Sequence, residues 1–217
     1  MSIRNSKSIQ CPGCGHTQDF GIWPSLNVTL DPEEKERLLN GELTRFVCAR
    51  CQSSREVRYP MLYHDMDRRL MVHSASPGKD IAGLEMFAKL MSTYQLRSVA
   101  NHNELLEKVW IAEAGFDDRA MELFKLTVQN QMRKDGEFCF AGVRRDEERE
   151  LLSFVLMSAG ANESILVPRE SYTEFSDGIA DILELEPVAL GLWHAINRAY
   201  AQSLIPKYLS GGDDRNP

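Results

Sequence analysis

The chain has 217 residues, of which 43% are apolar and 26% charged, and its formal net charge is −7. That length and balance fit a globular chain with one well-buried core or two modules, and no stretch approaches the roughly 18 apolar residues of a membrane helix. The acidic balance weighs against a nucleic-acid binder acting through its whole surface, and the opening MSIRNSKSIQ has no apolar signal-peptide core, so the expected compartment is cytoplasmic.

Four of the five cysteines form two pairs, Cys11-Pro12-Gly13-Cys14 and Cys48-Ala49-Arg50-Cys51. A two-residue gap lets both sulfurs of a pair converge on one ion from a tight turn, which Gly13 and Gly15 relax. Two such turns supply Cys11, Cys14, Cys48 and Cys51 as a closed tetrahedral shell, the arrangement of a single structural Zn2+. Disulfides, and a redox or iron site, remain as alternatives for the same four residues. The spacer between the pairs, residues 15–47, exceeds the usual ~15–20 residues because it carries a helix. Asp31 is the expected N-cap, Pro32 the first helical residue, Glu34 the far half of a capping box and Gly41 the terminator.

These residues resemble the CpXC family, named for two short cysteine motifs. The resemblance rests on Cys-Pro-Gly-Cys-Gly-His at 11–16, Asn27-Val28-Thr29-Leu30-Asp31-Pro32, Cys48–Cys51, Tyr59-Pro60 and Leu62-Tyr63-His64-Asp65-Met66. Asn103–Lys108 and Asp117-Asp118 extend it less specifically. The resemblance implies a bacterial zinc-ribbon protein and carries no activity with it. The second motif departs from the pattern: Ala49 replaces its proline, and Gln52 stands where a glycine is expected.

Further along the chain, Arg55, Val57 and Tyr59 alternate with Glu56 and Arg58, and Leu70–Val72 follow a turn at 64–69, so residues 53–75 read as strands. With segments 20–30 and 43–47 they make a small antiparallel sheet in a ribbon module, residues 1–75. Ser76-Pro77-Gly78-Lys79 is the expected domain boundary. An α+β body then spans 76–209. Its helices, within 80–134, begin near Asp80, at an Asn101/Glu104 capping box and at the Asp117 cap. Met121, Phe124, Val128 and Met132 form the apolar stripe of the third. An antiparallel meander is expected over 137–168, then helices at 176–185 and 187–205 separated by Pro187, the last capping the core. Residues 210–217 read as a disordered tail.

No nucleotide-binding, esterase or metalloprotease fingerprint occurs, and no residue is assigned a catalytic role. His16 is a candidate extra ligand, though four cysteines already fill a shell. His64, Asp65 and Asp67 form the most metal-like cluster outside the ribbon, against the plainer reading that Asp and His are ordinary turn residues. Glu107 and Asp118 are weaker candidates. Glu107 and Lys108 are expected on a solvated face, and Cys139 as a buried small hydrophobe. The function expected from this pattern is a structural-zinc, non-enzymatic protein–protein interaction module. The alternatives are a metal-dependent hydrolase at His64/Asp65/Asp67 and nucleic-acid contact through the ribbon alone. Residues 1–75 are near neutral, with 10 Lys and Arg against 9 Asp and Glu, so the acidity belongs to the remainder.

Overall fold

The computed structural model describes residues 1–74, 90–146, 149–158 and 161–208. The chain is α+β, and it divides into two units. The first takes the described residues of Met1–Leu105 together with Leu190–Trp193; the second takes Leu106–Ala189 and the chain from His194 onward.

In the first unit β1 (Ile3–Gln10) pairs antiparallel with β2 (Thr17–Asn27), which runs on into helix α1 (Pro32–Leu39). A small hairpin of β3 (Arg45–Val47) and β4 (Ser54–Glu56) follows, then β5 (Met61–Asp65), β6 (Leu70–Ser74) and β7 (Gln95–Val99). With β11 (Trp193–His194) these form a six-stranded sheet in the order β1-β2-β5-β6-β7-β11. Its two parallel pairings, β2/β5 and β6/β7, require crossovers, and α1 with the β3/β4 hairpin fills the first. Along β5 the period of two puts Met61, Tyr63 and Asp65 in the interior and leaves Leu62 and His64 half-buried. Leu26, Met61, Tyr63, Val72 and Leu96 are fully buried, each stabilising the fold by ~1.5–3 kcal/mol.

Helix α1 starts at Pro32 as expected, but the Asp31 carboxylate makes no capping bond. It accepts instead from the Ser2 hydroxyl, and Glu34 turns to Arg37 at 2.9 Å. The expected capping box is therefore replaced by a tie to the N-terminal segment. Gly41 does end the helix, with φ +72°.

The second unit packs helices against a three-stranded meander of β8 (Glu137–Arg145), β9 (Glu150–Ser158) and β10 (Ala161–Pro168). Helices α2 (His102–Glu113) and α3 (Asp118–Met132) precede it; α4 (Arg169–Gly178), α5 (Ala180–Leu185) and α6 (Arg198–Tyr208) follow. Asn101 and Glu104 cap α2 as expected, Asn101 accepting the Glu104 N–H at 3.0 Å and Glu104 accepting the Ala100 N–H at 2.8 Å. Asp117 caps α3 by accepting from the Arg119 N–H. The core is aromatic: Phe138 stacks on Phe154 at 4.9 Å, and Phe124 meets Tyr172 edge-on at 5.5 Å. Helices α3 and α4 lie against the sheet, and α6 packs along α3 through a face that includes buried Ala201 and Leu204.

Three expectations change. Strand β7 lies within the span read as helical and pairs with β6, so the first unit's sheet continues beyond residue 75 and the unit reaches Leu105. The breakpoint at 76–79, most of the helix expected from Asp80 and the tail at 210–217 fall outside the described residues. The helices expected at 176–185 and 187–205 are also displaced. The first starts at Arg169 and is interrupted at Ile179; the second begins only at Arg198. Residues 190–193 belong to the first unit instead: the Gly191 N–H donates to the Tyr94 carbonyl at 2.9 Å, with φ +72°. Ala189, Trp193 and Ile196 fall at helical spacing, but the left-handed backbone of Gly191 breaks any right-handed helix there.

A Cβ at Gly191 would stand 2.8 Å from the Ser92 Cα, whereas at Gly178 it would meet nothing within 4 Å. Gly191→Ala is therefore expected to lower the thermal unfolding midpoint, at a cost of ~1–3 kcal/mol, while Gly178→Ala leaves it unchanged or raised.

Candidate metal centre

Both cysteine turns have the same backbone. In the first, the Cys11 N–H donates to the His16 carbonyl at 2.8 Å and the Gly15 N–H to the Cys11 carbonyl at 2.9 Å. In the second, the Cys48 N–H donates to the Ser53 carbonyl at 2.9 Å and the Gln52 N–H to the Cys48 carbonyl at 2.9 Å. The fifth position of each turn is left-handed, with φ +71° at Gly15 and +58° at Gln52. Gln52 thus adopts the conformation of the glycine it replaces, steadied by a bond from its side-chain amide to the Ala49 carbonyl at 3.2 Å. Gln18 straps the two halves together, accepting the Ala49 N–H at 2.7 Å and donating to the Val47 carbonyl at 2.9 Å.

The turns bring the four sulfurs of Cys11, Cys14, Cys48 and Cys51 within 4.8 Å of one another. Cys11 lies 3.7 Å from Cys51, and Cys14 lies 3.6 Å from Cys48. A tetrahedron with metal–sulfur bonds of about 2.3 Å has edges of about 3.8 Å, so this spacing fits one thiolate-bound ion. It is far beyond the ~2.05 Å of a disulfide bond. Cys11 and Cys48 are buried with Ile9 and Phe46, and Cys51 is exposed. The Ser53 hydroxyl lies 3.2 Å from both Cys11 and Cys51. That contact pulls the Cys11 thiol down to about 6 and lowers Cys51 as well. At Cys14 a main-chain hydrogen bond from His16 works downward, but burial and the neighbouring thiols outweigh it and push the group up to about 12. Four thiols this close do not all ionise unaided, and a central divalent cation would supply the missing charge.

A family model described as CpXC protein matches residues 9–125, more than half of the sequence. The chain belongs to the CpXC family. No curated protein and no solved structure matches it.

The other candidate residues of this CpXC chain fall elsewhere. His16 contributes its carbonyl to the first turn, and the metal-capable cluster among the described residues is purely cysteine. His64 and Asp65 are neighbours on β5 and point to opposite faces, so they do not converge with Asp67 in the exposed turn beyond. The His64 ring lies between the Asn27 amide and the Tyr94 hydroxyl, each at 3.4 Å, and burial lowers its pKa. Asp65 is buried. It accepts from the Arg68 N–H at 3.0 Å and pairs with the Arg68 and Lys35 side chains at 3.2 and 3.6 Å. Burial opposes its ionisation, but these partners outweigh it and hold the carboxyl below its usual range. Asp65 is a structural ion-pair residue here.

Glu107 and Asp118 do come together, in a network that reverses the solvated-face reading. Glu107 and Lys108 are only 2% and 4% exposed. Lys125 bridges Glu107 at 2.7 Å and Glu122 at 3.0 Å, while Lys108 bridges Glu122 at 3.0 Å and Asp118 at 3.4 Å. Glu107 also accepts the Phe140 N–H of β8, at 2.6 Å. Burial raises the Glu107 pKa, whereas at Glu122 the two ammonium groups outweigh burial and lower it. The stabilisation held by Glu122 is therefore lost as pH falls through its folded value, and Glu107 contributes in the opposite direction. Cys139 lies buried on β8, its thiol pushed up by burial and by Glu107, as expected of an inert core residue. Apart from the i,i+3 pair Glu122–Lys125 on α3, the partners lie on different elements, so helical periodicity alone could not pair them.

Two substitutions test these assignments. Lys125→Met leaves Glu107 and Glu122 without their shared ammonium in a buried site and is expected to cost ~3–5 kcal/mol in denaturant unfolding, part of it recovered by adding Glu107→Gln. Gln52→Gly removes a left-handed strain of ~1–2 kcal/mol and is expected to raise the stability of the metal-loaded chain.

Proposed function

We propose that this chain is a structural-zinc protein whose metal holds a ribbon that presents a recognition surface to another protein, without catalysis. The observation that carries the reading is the cysteine tetrad. Its four soft donors at tetrahedral spacing fit Zn2+, and a shell closed by four protein ligands keeps no position for substrate or activated water. When bound, the ion supplies folding energy and charge neutralisation. The chain's own residues do the rest: the two turns aim the sulfurs, Gln18 ties the turns, and the Ser53 hydroxyl, within reach of Cys11 and Cys51, donates its one proton to one of these thiolates. Separation of His64, Asp65 and Asp67 further supports a non-enzymatic role.

Elemental analysis of the purified chain is expected to return one zinc per chain. Chelation, or Cys48→Ser, is expected to melt the ribbon, in keeping with apparent binding energies of ~10–16 kcal/mol for such sites. Iron in place of zinc, or no metal, contradicts the metal assignment. Metal-dependent turnover of a panel of phosphoesters, peptides or nucleotides contradicts the non-enzymatic reading.

A further inference from the structure

Strand β1 is an outer strand of the six-stranded sheet, with β2 on one side and, among the described residues, no strand on the other. Among its eight residues Ile9 alone is buried. Both of its ends are fixed. At the start, the Ser2 hydroxyl accepts the Asn27 N–H at 2.9 Å and donates to the Asp31 carboxylate. At the far end, Cys11 enters the sulfur tetrad and its N–H is held by the His16 carbonyl. An extended strand pinned at both ends, with its outer backbone edge open, has already met most of the ordering cost that a partner strand would otherwise impose.

The charge on this edge selects what can pair with it. Its charged residues are Arg4 and Lys7, both exposed, and among the described residues neither makes a salt bridge. Arg4 lies across the strand pair on a floor made by Gly21, where an added Cβ would stand 3.2 Å from the guanidinium Nε and Nη2, and it faces the Trp23 ring at 5.6 Å. Lys7 sits opposite Phe20 in the register. Cations on an open edge discourage pairing with a second copy of the same strand, whereas opposite charges on adjacent strands attract. A long nucleic acid would also meet a chain whose net charge is −7, while a short strand need lie only on β1.

We propose that β1 is a docking edge for an extended acidic segment of a protein partner, which adds beside it as a further strand. Main-chain hydrogen bonds give the affinity in such a mode, and the side chains opposite Arg4 and Lys7 give the selectivity. The proposal rests on the interaction-module reading and names the partner's chemistry.

The test uses the full metal-loaded chain and a fluorescein-labelled peptide of about ten residues in Glu-Glu-Val repeats, which puts carboxylates on both faces because Arg4 and Lys7 face opposite sides of the sheet, read by anisotropy at low salt. Saturable binding is expected. Arg4→Glu with Lys7→Glu is expected to weaken it by about tenfold or more, and alternate N-methylation of the peptide is expected to do the same. A peptide with Lys in place of Glu is expected to recover binding to the reversed chain. Thermal unfolding of the double variant checks that these exposed substitutions leave the fold intact. Absence of saturable binding, or binding indifferent to N-methylation or to charge reversal, overturns the proposal. So does tighter, charge-sensitive binding of an oligothymidylate of equal length, which would make the edge a polyanion surface. None of these outcomes bears on zinc content or turnover, so the docking edge can fail while the non-enzymatic zinc reading stands.

Discussion

Convergence of four sulfurs on one point is the constraint from which the ribbon follows. Among the described residues, the cluster around the tetrad contains Ile9, Cys11, Phe46 and Cys48 as buried members, with Cys14, Phe20 and Val57 at its margin. At ~1.5–3 kcal/mol per buried apolar side chain, so small a core does not order two separate hairpins against their conformational entropy. A central ion would, because it would fix the end of β1, the start of β2 and the link between β3 and β4 in one step. The identical hydrogen bonding of the two turns follows from the same requirement, since each must present two sulfurs from one side. Gln52 shows how strong the requirement is: a side chain that ordinarily avoids left-handed backbone accepts it there.

The second unit is held by other means. Its meander is covered by an aromatic core on one face, and near β8 lies the Lys–carboxylate network of α2 and α3. Glu107 gives that network a second purpose, because it accepts a backbone N–H from β8, an outer strand of its sheet. One N–H of that strand is thus met by a side chain of the same unit, whereas among the described residues the charges on β1 in the first unit are those of Arg4 and Lys7. An edge left open while its ends are pinned is unusual among the ways proteins treat outer strands, and it directs attention to recognition.

Much of this was legible in the residues. CxxC spacing announced the tetrad, Pro32 and Gly41 bounded α1, and Asn101, Glu104 and Asp117 marked the helix starts, because each depends on neighbours a few positions away. The meander was legible for the same reason. What escaped was long-range. Strand β7 exists because β6 offers it an edge, and Gly191 is drawn to Tyr94 from a distant part of the chain. Ser53 and Gln18 act on the metal turns through contacts that spacing does not encode. The capping box at Asp31 failed because Ser2, near the other end of β1 and β2, competed for the carboxylate. The Glu107 network stayed hidden because charged residues on a helix ordinarily face water, and only the fold brings their counter-charges within reach.

The central claim is that one zinc ion sits among Cys11, Cys14, Cys48 and Cys51 with no other ligand. X-ray absorption at the zinc edge of the purified chain measures this directly. The account predicts four sulfur neighbours at about 2.3 Å and no nitrogen or oxygen in the coordination sphere. A mixed shell with imidazole or water, or absorption at the iron edge in its place, would contradict it.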